Sequence, residues 1–110
     1  MVWRVQDRAT FEALRRSSHR ARRGPVSVTF AAVGHVAEPR VAYAIGKRVG
    51  KAVVRNRLRR QIRAVVDGMT GLPTGAYLVS VGPGATVLTY EDLRTKVITA
   101  MTAASGERHR

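Results

Sequence analysis

The chain has 110 residues, 45% of them hydrophobic, and a formal net charge of +13 from 20 Lys+Arg against 7 Asp+Glu. That is room for one domain with a modest core and not for two, and so large a surplus of one sign repels itself unless a polyanion neutralises it, which puts nucleic acid first and an anionic membrane second. Cysteine is absent, which excludes disulfides and thiolate chemistry, and with neither a signal-peptide core nor a run of about 18 apolar residues a soluble cytoplasmic protein is expected.

In chain order, Thr10 is read as the cap of a short helix running through Phe11 to about Ser17, with Phe11 and Leu14 on one face. Ser17–Gly24 (SSHRARRG) reads as a polar, basic connector ended by Pro25. Residues 26–33 alternate, with Val26, Val28 and Phe30 on one side and Ser27 and Thr29 on the other, the pattern of a half-buried strand. After a turn at Gly34–Pro39, Arg40–Gly46 alternates again, and closeness in sequence predicts an antiparallel hairpin of the two strands. The second strand has a face of Ala42, Ala44 and Gly46, small enough to leave the backbone approachable.

A basic helix is expected from about Gly50 to Asp67, its core stripe made by Val54, Leu58, Ile62, Val65 and Val66. Gly68–Gly75 breaks it. Ala76–Val81 (AYLVSV) is a near-continuous apolar run and predicts a central strand, closed by Gly82-Pro83-Gly84. Thr89 and Asp92 resemble a capping box that opens a last helix with Leu93, Val97, Ile98 and Met101 on one stripe. Residues 1–104 thus form a single α+β domain, with 105–110 as a disordered basic tail. The order is helix, strand, strand, helix, strand, helix, a small two-layer sandwich. The two longer helices require one sheet face. The first helix is too short to cover the other, which is left open as a groove.

Lys47–Arg63 packs eight Lys/Arg and no acid into seventeen residues. At about 100° per residue, Asn56 and Arg63 lie roughly opposite the stripe centred on Leu58, and Arg57, Arg59 and Arg60 fill the flanks, with Arg55 close to the stripe. Solvated helix faces normally interleave both signs, and like charges at helical spacing are destabilising. Arginine suits a nucleic-acid surface because its planar fork grips two phosphate oxygens and stacks on bases. Lys47, Arg48 and Lys51 extend the patch around the helix start, where the dipole favours an anion. Asn56 can hold a neighbouring group or read a base or sugar edge.

The run Lys47-Arg48-Val49-Gly50-Lys51-Ala52-Val53-Val54-Arg55-Asn56-Arg57-Leu58-Arg59-Arg60 resembles the signature of the protein subunit of bacterial ribonuclease P. The similarity extends to RVQDRATF at the start, PRVAYAIGKR before the basic helix, and AYLVSVGPGATVLTYEDL after it. The resemblance implies a central mixed sheet with a left-handed β-α-β crossover, the ribosomal protein S5 domain 2-like fold. It implies an endoribonuclease complex whose catalytic component is RNA and whose Mg²⁺, bound mainly by that RNA, supports removal of the 5′ leader from precursor tRNA. The expected partners are the catalytic RNA and precursor tRNA, with no membrane and no obligate protein partner. Arg55, Asn56, Arg57, Arg59, Arg60 and Arg63 carry over as RNA-subunit contacts, supported by Lys47, Arg48 and Lys51. Phe11 matches an aromatic at the leader groove; it either stacks on a leader base or packs in the core. Ser27, Thr29, Ala42 and Ala44 are groove candidates by alternation. Three positions depart from the pattern: Arg15 replaces a second aromatic, Lys51 is a poor helix cap, and Gly82-Pro83 stand where a basic pair is common.

Other chemistry is weakly signalled. His19, His35 and His109 have no metal-ligand spacing, no carboxylate pair is placed for catalysis, and Trp3 either stacks on RNA or packs against the last helix. The competing reading is a non-catalytic RNA-binding protein of the ribosomal type. A DNA-binding regulator lacks a visible helix-turn-helix spacing.

Overall fold

The computed structural model describes residues 3–5, 7–34 and 37–106. The side chain of Trp3, together with His35, His109 and the rest of 107–110, lies outside the described residues.

The chain runs β1 (Trp3–Arg4), α1 (Arg8–Arg16), β2 (His19–Arg23), β3 (Val26–Ala31), β4 (Pro39–Ile45), α2 (Ala52–Asp67), β5 (Gly75–Val81) and α3 (Tyr90–Gly106), with 3₁₀ turns at Lys47–Val49 and Pro83–Val87. The expected order of three helices and three main strands is present, and β1 and β2 are added to it. All five strands form one mixed sheet in the order β1-β4-β5-β3-β2.

Two expectations from local sequence are corrected here. The basic segment after α1 is not a connector but an edge strand, paired antiparallel with β3 from His19↔Phe30 to Arg23↔Val26. Its hairpin has a two-residue loop in which Gly24 takes φ +59° and Pro25 holds the next φ negative, the pattern of a type II′ turn. Nor do β3 and β4 pair with each other. β5 lies between them, antiparallel to β3 and parallel to β4, so β4–α2–β5 is a parallel β-α-β crossover. The reason is burial. β5 is largely apolar on both faces, and most of it is buried, which requires a neighbour on either side.

Helix α1 also starts earlier than expected. Asp7, not Thr10, is its N-cap: the carboxylate accepts from the Thr10 backbone N–H at 3.0 Å and from the Thr10 hydroxyl at 2.7 Å. At the other end of the chain, α3 continues through Ser105 and Gly106, with Ser105 buried and its hydroxyl donating to the Met101 carbonyl at 3.0 Å. The helix therefore reaches two residues into the stretch read as tail.

The core sits between one sheet face and the two long helices. Val26, Val28 and Phe30 of β3, Val41 and Ile45 of β4, and Tyr77, Val79 and Val81 of β5 meet Leu58, Ile62, Val65 and Val66 of α2 and Leu93, Val97 and Met101 of α3. The Phe30 and Tyr77 rings lie 4.9 Å apart at 59°, a tilted aromatic pair, and the Tyr77 hydroxyl donates to the Pro73 carbonyl at 2.7 Å. Gly75 opens β5 at φ +140°, and a Cβ there would stand 2.8 Å from the Ala31 carbonyl oxygen; only glycine admits this approach. A smaller cluster of Val5, Leu14, Ala31 and Ala76 lies on the opposite face under α1. Nine residues of helix cover one end of that face. Among the described residues no helix is long and apolar enough to cross a membrane.

Candidate nucleic-acid interface

The first surface is α2. Its buried stripe fixes its roll on the sheet, so the arginines point outward by default. Arg57, Arg60, Arg63 and Asn56 are exposed, Arg55 and Arg59 half-buried. Two of these side chains are held. Arg55 Nε donates to the Gly50 carbonyl at 3.1 Å, and an Arg59 terminal nitrogen donates to Asn56 Oδ1 at 3.1 Å. Asn56 thus orients an arginine, while its own amide nitrogen stays available. Among the described residues no ion pair neutralises an arginine of α2; the pairs present are Arg15–Glu12 at 3.4 Å and Arg40–Glu38 at 2.8 Å. The N-cap position, Lys51, makes no side-chain cap bond. Free backbone donors and the exposed Lys47, Arg48 and Lys51 therefore surround the helix start.

Arg63 reaches back over β4. Its guanidinium carbon lies 5.8 Å from the centre of the Tyr43 ring, within cation–π range. Burial pushes the Tyr43 hydroxyl up to about 12, Asp67 adds to the rise, and Arg63 opposes it.

The second surface is the sheet face that α1 leaves uncovered. Ser27 and Ala42 are half-buried there and Ala44 is exposed, whereas Thr29 is only 6% exposed and nearly covered. Phe11 is 42% exposed, so of its two readings the packed-core one does not hold. It shares a depression of about 290 Å³ with Arg4, Val5, Ala42, Tyr43, Arg59 and Arg63. That depression joins the open face to the arginines of α2. Arg15, one helical turn after Phe11, is exposed and among the described residues pairs only with Glu12.

Sequence reasoning missed two arginines on this face. Register places Arg20 opposite Thr29 and Arg22 opposite Ser27, so both belong to the open side. The available signal was the alternation of the small, buried Ala21 with its charged neighbours.

The model of the ribonuclease P family matches residues 2–105. The chain belongs to the ribonuclease P protein family. It is 35% identical to the ribonuclease P protein component of Thermobifida fusca (strain YX), over 96% of this chain and 78% of that one. Solved ribonuclease P proteins share the fold. A mutant from Staphylococcus aureus superposes with a TM-score of 0.85 at 18% identity, covering 93% of this chain and 87% of that one. The protein from Thermotoga maritima superposes with a TM-score of 0.74 at 20% identity, covering 87% and 92%. Ribonuclease P membership places the chain among the RNA-binding proteins of a tRNA-processing ribonucleoprotein.

Proposed function

We propose that this protein binds the catalytic RNA of ribonuclease P through the arginine face of α2 and the 5′ leader of precursor tRNA on the open sheet face. The observation that carries this is the pairing of two surfaces on one small domain: an arginine helix with no ion pair among the described residues, and an uncovered sheet face edged by an exposed phenylalanine. Arg55, Asn56, Arg57, Arg59, Arg60 and Arg63, with Lys47, Arg48 and Lys51 beside them, neutralise phosphates where two polyanions meet. Phe11 stacks on a leader base, and Arg15 supplies a phosphate contact one turn away. Ser27, Ala42 and Ala44 form a floor that an extended strand can approach.

Cleavage of the phosphodiester is assigned to the RNA. The Mg²⁺ that the resemblance implies is assigned mainly to the RNA partner; among the described residues no group of three or more His, Cys, Asp or Glu is placed to hold a metal ion. A cytoplasmic location goes with this role. The alternative, a purely structural RNA-binding protein of the ribosomal type, leaves the open sheet face without a task.

Reconstitution with a bacterial ribonuclease P RNA at low Mg²⁺ tests the reading. Precursor tRNA cleavage should rise well above that of the RNA alone. Equal rates with and without the protein would overturn it.

A further inference from the structure

Strand register arranges the open face into transverse rows. Arg22, Ser27, Ser80 and Ala44 stand side by side across β2, β3, β5 and β4, and Arg20, Thr29, Leu78 and Ala42 form the adjacent row. Each row begins in a guanidinium on the edge strand. The second row ends in Ala42, which lines the Phe11 depression. At the far end, Arg22, Ser27 and Ser80 line a separate depression of about 550 Å³ closed by Gly24, Pro25 and Gly82–Gly84. Arg22 is held there, its Nε donating to the Gly24 carbonyl at 3.0 Å, while its terminal nitrogens have no carboxylate partner among the described residues. The Ser27 and Ser80 hydroxyls likewise make no hydrogen bond among the described residues.

We infer that β2 is a phosphate rail: Arg20 and Arg22 hold two consecutive phosphates of the single-stranded leader after it has crossed the sheet from Phe11, with the Ser27 and Ser80 hydroxyls beside the outer one. This rests on the assignment of the open face to the leader. Two residues along a strand span about 7 Å, close to the repeat between consecutive phosphates in an extended single strand. The crossing from β4 to β2 is three strand spacings, about 14 Å, so the rail meets leader nucleotides beyond those at Phe11. On the proposed reading, in which the α2 arginines beside Phe11 hold the catalytic RNA, the Phe11 end faces the cleavage site and the rail meets the nucleotides farther from it. Charged residues on an edge strand also deter pairing with other sheets. That duty alone needs no particular face, whereas here a held arginine and two unengaged hydroxyls converge on one depression.

The test measures binding of the reconstituted holoenzyme to precursor tRNAs with long leaders and with leaders truncated to the nucleotides next to the cleavage site. Arg20→Gln with Arg22→Gln should weaken long-leader binding about tenfold and flatten its log–log salt dependence by about 0.7 per lost phosphate contact. Binding of the short-leader substrate should not change, which also verifies that the variant is folded and assembled. Equal losses for both substrates, no loss for either, or a change in solubility alone would overturn the rail. A wild-type holoenzyme with no preference for any leader would overturn the groove assignment beneath it as well.

Discussion

The guanidinium of Arg63 lies over the ring of Tyr43, 5.8 Å from its centre, and so ties the outer face of α2 to β4. A cation–π contact at a partly exposed site contributes about 0.5–1 kcal/mol, and it restricts a side chain that would otherwise sweep a wide arc. Tyr43→Leu should therefore weaken assembly with the catalytic RNA a few-fold. Tyr43→Phe, which keeps the ring, should not. In a double-mutant cycle with Arg63→Ala, the coupling should be about 0.5–1 kcal/mol. Strict additivity would show that the ring does not position Arg63.

The same tyrosine makes stability depend on alkaline pH. Its folded-state value is raised to about 12, first by burial and then by Asp67, while in the unfolded chain it is about 10. Below pH 10 both states hold the proton, and the contribution to stability is fully present. Between 10 and 12 the unfolded chain loses the proton first, so unfolding becomes more favourable as pH rises. Absorbance titration should show Tyr43 ionising near pH 12, and the difference between wild type and Tyr43→Phe should isolate that step.

Asn56 acts through Arg59. Asn56→Ala removes the acceptor 3.1 Å from the Arg59 guanidinium and should weaken RNA binding. Arg59→Ala should then cost less in the Asn56→Ala background than in the wild type. Arg57→Ala and Arg60→Ala lack such a partner, and each should lower the salt slope of assembly by about 1. Salt titration of RNA binding reads all four variants.

Phe11→Ala should leave stability nearly unchanged, since the ring is 42% exposed, yet cost about 1–3 kcal/mol of leader-dependent binding. Phe11→Trp should retain most of it. A loss of thermal stability without a loss of leader binding would return the ring to a packing role.

Two substitutions test the scaffold. Ile62→Ala empties a fully buried site between α2 and the sheet and should cost about 2–5 kcal/mol. Gly75→Ala brings a methyl to 2.8 Å from the Ala31 carbonyl oxygen at a φ of +140°. It should cost about 2 kcal/mol or more, from strain and contact together. Denaturant unfolding measures both.

The helices and the three inner strands were legible because each repeats its apolar residues at its own period. Leu58, Ile62 and Val65 mark α2; Val26, Val28 and Phe30 mark β3. β2 was not legible: His19, Arg20, Arg22 and Arg23 surround a single small residue, Ala21, and an edge strand with one buried alanine has almost no hydropathic signal. Pairing was harder still. Nothing near β3 or β4 announces that β5, some thirty residues on from β4, will come between them. In the candidate interface, the outward placement of the α2 arginines followed from spacing alone. Arg20 and Arg22 did not, since their face exists only once β2 is paired. The Thr10 cap failed for a local reason: two residue types suited to capping, Asp7 and Thr10, stand three apart, and the acid takes the position.

β1 pairs with β4 only at Arg40 and Val41, so the outer border of β4 from Tyr43 to Ile45 has no strand beside it among the described residues. Such a border invites a second copy of the chain to dock by backbone hydrogen bonding. In dilute buffer the net charge of +13 keeps copies apart. Concentrated salt shortens the reach of that repulsion from about 8 Å at physiological strength, and it also strips RNA from the arginines. Purification in high salt therefore removes two safeguards at once, and the isolated protein should be most prone to clump in the very buffer that best frees it of nucleic acid.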